Sequence, residues 1–262
     1  GGPPDGVRRD LATVWSNLGV VQARQGEFET ALATLRRALE LGQLELHYQP
    51  KVDIGTNRIR SAEALIRWRH PTRGMVPPGV FIPIAEQSGL IAGMGDWAIR
   101  QACRDAAKWP DGIGVSVNIS PLQFREPRRI VETVKNALLL THLAPGRLTL
   151  EVTESLLIED NKTTLEVINE LRAIGIKFAL DDFGTGYSSL AYLSTYPFSQ
   201  VKIDQSFSRD VSSDEASKAV IEAVCQLARR LSMNVVVEGI ETEAQRMAEQ
   251  LLGAQRAQGV LF

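Results

Sequence analysis

The chain has 262 residues, of which 44% are apolar and 23% charged, and its 29 basic and 31 acidic side chains give a net charge of −2. This is the composition of a globular protein long enough to bury a core, and it argues against capture of long nucleic acid, which needs a basic surface. No apolar run reaches the ~20 residues that span a bilayer, so we expect no membrane contact from this segment. Cys103 and Cys225 lie in helix-like apolar stretches and show no metal-ligand spacing. We interpret them as reduced core thiols of a cytoplasmic protein, or of the cytoplasmic part of a larger sensor protein; a disulfide is the alternative.

The N-terminal part, residues 1–40, is predicted to be a helical leader. Within it, residues 11–40 indicate a helical pair, and the pattern Trp15-Ser16-Asn17-Leu18-Gly19 followed by Gly26-Glu27-Phe28 resembles one tetratricopeptide repeat. A single repeat cannot bury its apolar face, so a linker helix that leads into the next domain is the alternative.

From residue 44 onward, short apolar runs alternate with longer amphipathic stretches. The runs predict strands at Leu44–Val52, Ile59–Trp68, Gly114–Ile119, Arg147–Thr153, Lys177–Asp181, Gln200–Ile203, Asn234–Glu238 and Gln258–Phe262. The stretches predict helices at Trp97–Trp109, Arg129–Leu140, Lys162–Ile174, Lys218–Leu231 and Glu243–Leu252. Eight strands in this alternation predict an α/β fold, a TIM-like (β/α)8 barrel. The turn between the first two strands is too short for a helix, so the first strand should be antiparallel to the second.

Polar side chains end six consecutive strands. They are Glu63, Asn118, Glu151, Asp181 with Asp182, Lys202 and Glu238. Because the carboxyl ends of barrel strands meet on one face, we expect these groups to form one site. Oxygen ligands without cysteine suit Mg²⁺ or Mn²⁺, and two such ions are a common arrangement for attack on a phosphodiester. Lys202 would orient a water or offset phosphate charge; a salt bridge that only neutralises the carboxylates is the plainer interpretation.

The ordered motifs resemble the EAL family of bacterial phosphodiesterases. The triplet Glu63-Ala64-Leu65 is the signature, and further matching motifs follow across residues 43–262. They are Ser116-Val117-Asn118-Ile119-Ser120, Glu151-Val152-Thr153-Glu154, Asp181-Asp182-Phe183-Gly184, Val201-Lys202-Ile203-Asp204, Val237-Glu238-Gly239 and Gln258-Gly259. The resemblance implies that residues 41–262 form a barrel that hydrolyses cyclic di-GMP to linear pGpG with Mg²⁺ or Mn²⁺, two ions in all.

The resemblance also implies roles for individual residues. Metal would be bound by Glu63, Asn118, Glu151, Asp181 and Asp182. The catalytic group would comprise Lys202, which contacts the attacking water, with Glu238 and Gln258, which complete the site. Gln49 and Arg67 would bind substrate. Glu154 would fix the loop at residues 183–189, which couples the site to a homodimer interface in the family.

Two expectations remain open at this stage. The family has a closing helix after the eighth strand, for which Phe262 leaves no room, so we interpret the barrel as truncated there. The retained site residues favour an active enzyme over two alternatives, a catalytically silent cyclic di-GMP receptor and a regulatory scaffold built on the N-terminal helices.

Overall fold

A computed structural model describes residues 25–159, 161–184, 193, 195–209, 211 and 213–262. Within them, nine strands form one sheet. The strands are β1 Leu44–Asp53, β2 Arg58–His70, β3 Gly74–Val76, β4 Gly114–Asn118, β5 Leu148–Thr153, β6 Lys177–Phe183, β7 Gln200–Ile203, β8 Asn234–Val237 and β9 Arg256–Ala257. The helices are α1 Gln25–Glu40, α2 Pro78–Gln87, α3 Leu90–Ala106, α4 Pro127–Thr141, α5 Leu156–Glu159, α6 Asn161–Ala173, α7 Gln205–Ser208, α8 Glu215–Arg230 and α9 Glu243–Leu252.

The sheet closes into a barrel of eight strands. From β2 through β4 to β8, neighbouring strands run parallel, and β9 pairs parallel with β8. β1 is antiparallel to both β2 and β9, with Val52 opposite Ala257, which completes the ring. β3 adds a hairpin outside the ring. The expected TIM-like barrel with an antiparallel first strand is therefore confirmed.

Burial explains why these segments fold as they do. The residues of β7 are all buried, and so are three of the four residues of β8, as expected for strands covered on both faces. Helix α4 begins with a proline at its first turn and buries Ile130, Val134 and Ala137, which lie on one face of a 3.6-residue helix. The barrel core is thus enclosed between the strands and the inner faces of the helices.

Helix α1 packs on the outside of the barrel. Leu32 and Leu35 are buried in a second apolar cluster with Trp68 of β2 and Phe81 of α2. This helix occupies the second half of the predicted helical pair, while residues 11–24, and with them most of the repeat-like motif, lie outside the described residues.

The predicted position of the last strand is wrong. Gln258–Phe262 was expected to be extended, but the strand is Arg256–Ala257 and residues 258–262 bend away. A Cβ at Gly259 would lie 2.0 Å from the Ile240 carbonyl oxygen, so the backbone here is held by a contact distant in sequence. The three-residue strand β3 was not predicted at all.

Two further features concern the chemistry of the chain. Cys103 and Cys225 are both buried and free, as the interpretation of reduced core thiols requires. Among the described helices, none combines the length and the apolar character needed to cross a membrane.

Candidate active site

The carboxyl ends of the barrel strands bring the polar residues together. Glu63 lies in β2 opposite Ser116 of β4, and Asn118 at the end of β4 lies opposite Glu151 of β5. Asp181 and Lys202 follow on β6 and β7, and Glu238 comes directly after β8. Parallel register therefore sets these side chains on one face of the barrel, as the sequence predicted.

Lys202 lies at the centre of this cluster. Its Nζ is 3.1 Å from Glu63 Oε2, 2.9 Å from Glu151 Oε2, 2.9 Å from Asp181 Oδ1 and 2.8 Å from Glu238 Oε1. Its side chain is almost completely buried. A single ammonium group thus contacts four carboxylates from four different strands or strand ends.

Two adjacent aspartates reach the same site because β6 is irregular. The pairing of β6 with β7 shifts between Leu180 and Phe183, and Asp182 has a φ of 53° in the left-handed region. In a regular strand, neighbouring side chains would point to opposite faces. Instead, carboxylate oxygens of Asp181, Asp182 and Glu238 all lie within 4.8 Å of one another.

Three amide side chains form hydrogen bonds with Glu63 or with one another. Asn118 Nδ2 donates to Glu63 Oε1 at 2.6 Å, and Gln258 Nε2 donates to Glu63 Oε2 at 2.8 Å. Gln258 Nε2 also donates to Gln49 Oε1 at 2.9 Å. Gln49 and Gln258 are therefore brought to the cluster although they lie 209 residues apart.

The charges shift the pKa values of the cluster in opposite directions. Burial alone would raise the pKa of Glu63, but Lys202 and Lys51 outweigh it and lower the pKa to about 2. Burial raises the pKa of Asp181 to about 7, because the nearby carboxylates add to this effect and Lys202 only partly opposes it. Burial also raises the pKa of Asp182 and of Glu238. The pKa of Lys202 is raised well above its usual value, since its four carboxylates overcome the effect of burial, and the side chain stays cationic.

A cavity of about 660 Å³ opens beside the cluster. Its wall includes Asn118, Glu151, Asp181 and Asp182, together with Arg67 of β2. Arg67 is half-buried, and its Nη1 donates to the carbonyl oxygen of Ile66 at 3.0 Å. The volume lies in the range of pockets that enclose a small-molecule ligand.

The donor set fits divalent cations. Oxygens of Glu63, Glu151 and Asp181 form one group within 4.8 Å of one another, and Asp181 is shared with the second group that contains Asp182 and Glu238. Glu151 Oε2 is buried and accepts no hydrogen bond of normal geometry from any described residue. Oxygen-only ligands that lie this close together are the property expected of a site for hard divalent cations.

The structure adds one residue that sequence reasoning missed. Lys51 of β1 is fully buried, and its Nζ contacts Glu151 Oε1 and lies 2.8 Å from Ser116 Oγ. Its spacing from Gln49 could have indicated it, since residues i and i+2 of a strand point to the same face.

The loop after β6 is described only at its start. Glu154 is buried, and its Oε1 accepts a hydrogen bond from the backbone N–H of Gly184 at 3.3 Å. A Cβ at Gly184 would lie 2.6 Å from the Phe207 ring, and its φ of 99° also requires glycine. Residues 185–192 of the predicted dimer loop lie outside the described residues.

Comparison with known proteins identifies the family. A model of the EAL domain matches residues 32–262. The chain belongs to the EAL domain family. The matched range includes all five members of the two acidic groups, Glu63, Glu151, Asp181, Asp182 and Glu238.

Relatives and solved structures agree with this assignment. The chain is 44% identical over 235 residues to the bifunctional diguanylate cyclase/cyclic di-GMP phosphodiesterase MucR of Pseudomonas aeruginosa, covering 88% of this chain and 34% of that protein. It is 40% identical over 231 residues to the cyclic di-GMP phosphodiesterase PdeR of Escherichia coli, covering 87% and 35%. The structure of the PaMucR phosphodiesterase in complex with c-di-GMP superposes with a TM-score of 0.83 at 43% identity, covering 88% and 95%. The chain spans about a third or less of the length of the curated relatives it matches first.

Proposed function

We propose that this EAL domain hydrolyses cyclic di-GMP to linear pGpG. The observation that carries the proposal is the pair of acidic groups sharing Asp181 at the wall of a 660 Å³ cavity. A like-charged cluster of this kind is suited to cations that act on a phosphodiester. The relatives named as cyclic di-GMP phosphodiesterases and the related structure with c-di-GMP support this substrate.

We propose two divalent cations, Mg²⁺ or Mn²⁺, as the cofactors. Glu63, Asn118, Glu151 and Asp181 would hold the first, and Asp182 with Asp181 would hold the second. When bound, such ions activate water and stabilise negative charge on phosphate oxygens. The shared position of Asp181 between the two acidic groups supports a pair of neighbouring ions rather than a single one.

The protein side chains then have distinct tasks in the hydrolysis. Water attacks phosphorus, the bond from phosphorus to the 3′ oxygen breaks, and a proton goes to that oxygen. Lys202 stays cationic, so it orients the attacking water and offsets charge rather than accepting a proton. Arg67 lines the cavity and would pair with a substrate phosphate, while Gln49 and Gln258 would fix the nucleotide and the water around Glu63.

Substitution at the shared ligand tests the proposal. Asp181→Asn keeps the shape of the side chain but removes a charge common to both acidic groups. We expect purified wild-type protein with Mn²⁺ to convert cyclic di-GMP to pGpG and the variant to lose at least 10²-fold in kcat, because the negative charge that both ions share is lost. Asp214→Asn, a change at the N-cap of α8 outside both groups, is the matched control. Wild-type activity in Asp181→Asn would refute the proposed site.

We also propose a homodimer that uses the barrel near residues 183–189. The contact of Glu154 with Gly184 supports coupling between the end of β5, next to Glu151, and this loop. Sedimentation that shows only monomers at every concentration, in fully active protein, would contradict the proposal. The cytoplasmic location stays a prediction.

A further inference from the structure

Lys51 is a buried cation that the hydrolysis described above does not use. It lies in the barrel interior with 0% of its surface exposed. Its Nζ donates to Glu151 Oε1 and, at 2.8 Å, to Ser116 Oγ, and it lies 3.8 Å from Glu63 Oε2. Burying a lysine side chain costs free energy unless its ammonium group is paired. The contacts with Glu151 and Ser116 provide this pairing.

The regular alternation of β1 directs Lys51 to the same face as Gln49, where it meets Glu151. The pairing of β1 with β2 shifts between Lys51 and Val52, where Ser61 and Ile59 are the successive partners and Arg60 has no opposite residue. The extra residue of this bulge therefore belongs to β2, and β1 keeps its regular alternation from Gln49 to Lys51. Lys51 and Val52 are both buried at this point.

The two oxygens of Glu151 have different surroundings as a result. Oε1 accepts from Lys51, whereas Oε2 accepts no hydrogen bond of normal geometry from any described residue, although Lys202 Nζ lies 2.9 Å away. Lys202 has three other carboxylate partners, whereas Lys51 has Glu151 as its closest. Glu151 Oε1 is therefore held by Lys51, whereas Oε2 faces Lys202, a cation that it shares with three other carboxylates.

We propose that Lys51 is a positioning residue that keeps Glu151 a one-oxygen ligand, with Oε2 directed at a divalent cation. The inference rests on the proposed function, since it concerns the same cation site. Mg²⁺ demands near-ideal octahedral geometry, which a carboxylate that binds through both oxygens distorts. A displacement of about 1 Å in a reacting group is enough to cost about 10²-fold in rate.

The proposal predicts that metal affinity and turnover respond differently to loss of Lys51. Lys51→Met keeps the length of the side chain but removes the ammonium group. Removal of a positive charge beside carboxylates should leave Mn²⁺ binding unchanged or tighter. Turnover should fall by about 10- to 100-fold, because Glu151 is then free to bind through both oxygens, while KM for cyclic di-GMP should stay within about threefold.

Three measurements on the purified protein test this: calorimetric Mn²⁺ titration without nucleotide, the Mn²⁺ EPR spectrum, and kcat with KM for cyclic di-GMP. A changed EPR spectrum with retained Mn²⁺ affinity and reduced kcat supports the proposal. A kcat within threefold of wild type, an unchanged spectrum, or weaker Mn²⁺ binding that alone accounts for the lost turnover overturns it. Lys177→Met, at an exposed lysine that begins β6, is the matched control and should change nothing.

A second variant covers the case in which Lys51→Met does not fold. Ser116→Ala removes one of the two close partners of Lys51 and leaves the charge in place. We expect kcat to fall by about three- to tenfold with an unchanged Mn²⁺ affinity, and an unchanged kcat would overturn the proposal.

The two proposals can fail separately. Wild-type protein that binds Mn²⁺ but does not hydrolyse cyclic di-GMP refutes the proposed function, and the EPR comparison then decides the role of Lys51 alone. Wild-type protein that binds no Mn²⁺ refutes both.

Discussion

Lys202 should stabilise the metal-free protein and accelerate the reaction of the metal-bound one. Its Nζ lies within 3.1 Å of four carboxylates. At an effective dielectric constant of about 20, one such pair interacts by about 5 kcal/mol, and removal of one partner from a buried ion pair typically costs about 3–5 kcal/mol. For a domain of this size that corresponds to a loss of about 6–20 °C in Tm. We therefore expect Lys202→Met to lower the Tm of the metal-free protein by this amount at pH 8.

Divalent cations should reverse most of this loss, because they neutralise the same carboxylates. Thermal unfolding with chelator and with saturating Mg²⁺ measures both values, and we expect a residual difference of less than about 4 °C, or 1 kcal/mol, with Mg²⁺. The kcat should still fall by about 10²-fold, as it does when a preorganised stabilising group is lost. Lys135→Met is the control, because Lys135 and Glu170 form a surface pair at 2.6 Å that contributes about 0–1 kcal/mol. An equal Tm loss with and without Mg²⁺, or a kcat close to that of wild type, would refute the reasoning.

Three other perturbations test separate parts of the account. Glu249 of α9 is fully buried, and burial raises its pKa to about 7, although a hydrogen bond with Ser208 acts in the opposite direction. Because folding raises the pKa of Glu249, its protonation stabilises the folded state fully below about pH 4.5, and this stabilisation is lost as pH rises through 7. Glu249→Leu should therefore stabilise the protein by about 1–3 kcal/mol more at pH 8 than at pH 4.5. Urea unfolding at both pH values checks this, with exposed Gln250→Leu as control, and a pH-independent effect would contradict it. Arg67→Ala should raise KM for cyclic di-GMP by about 10- to 100-fold with kcat within threefold, since a charge-assisted phosphate contact is lost; a collapse of kcat at unchanged KM would place Arg67 in the chemical step. Ca²⁺ in place of Mg²⁺ should inhibit, because it accepts looser geometry with more ligands, and full turnover with Ca²⁺ would count against the proposed cation site.

The strand ends were predictable because barrel topology alone brings them together. Glu63, Glu151 and Asp181 each interrupt or end an apolar run, and parallel strands carry such residues to one face. The convergence of Asp182 was also foreseeable, since adjacent carboxylates can both reach one site only where the strand is irregular. In the structure, the irregularity is the left-handed backbone of Asp182, with a φ of 53°.

Residues whose partners are distant in sequence could not be predicted in the same way. Lys51 contacts Ser116 and Glu151, which lie 65 and 100 residues away, and no local pattern shows which strands meet across a barrel interior. The short final strand was misplaced for a related reason, because its end is set by the contact of Gly259 with Ile240.

Helix α9 shows how packing can oppose a local pattern. Its apolar residues Met247 and Leu251 are 55% and 87% exposed, while Glu249 is buried. A helix that directs its apolar side chains inward would have the reverse arrangement. The inward face of α9 is therefore a feature that only the structure reveals.

The most direct test of the central claim is turnover of cyclic di-GMP by metal-stripped protein, followed by chromatography with mass detection of the product. Without added cation we expect no product, and with Mg²⁺ or Mn²⁺ we expect linear pGpG, because the clustered carboxylates of Glu63, Glu151 and Asp181 need bound cations to act on a phosphodiester. Full hydrolysis after exhaustive chelation, or intact cyclic di-GMP in the presence of both cations, would contradict the account.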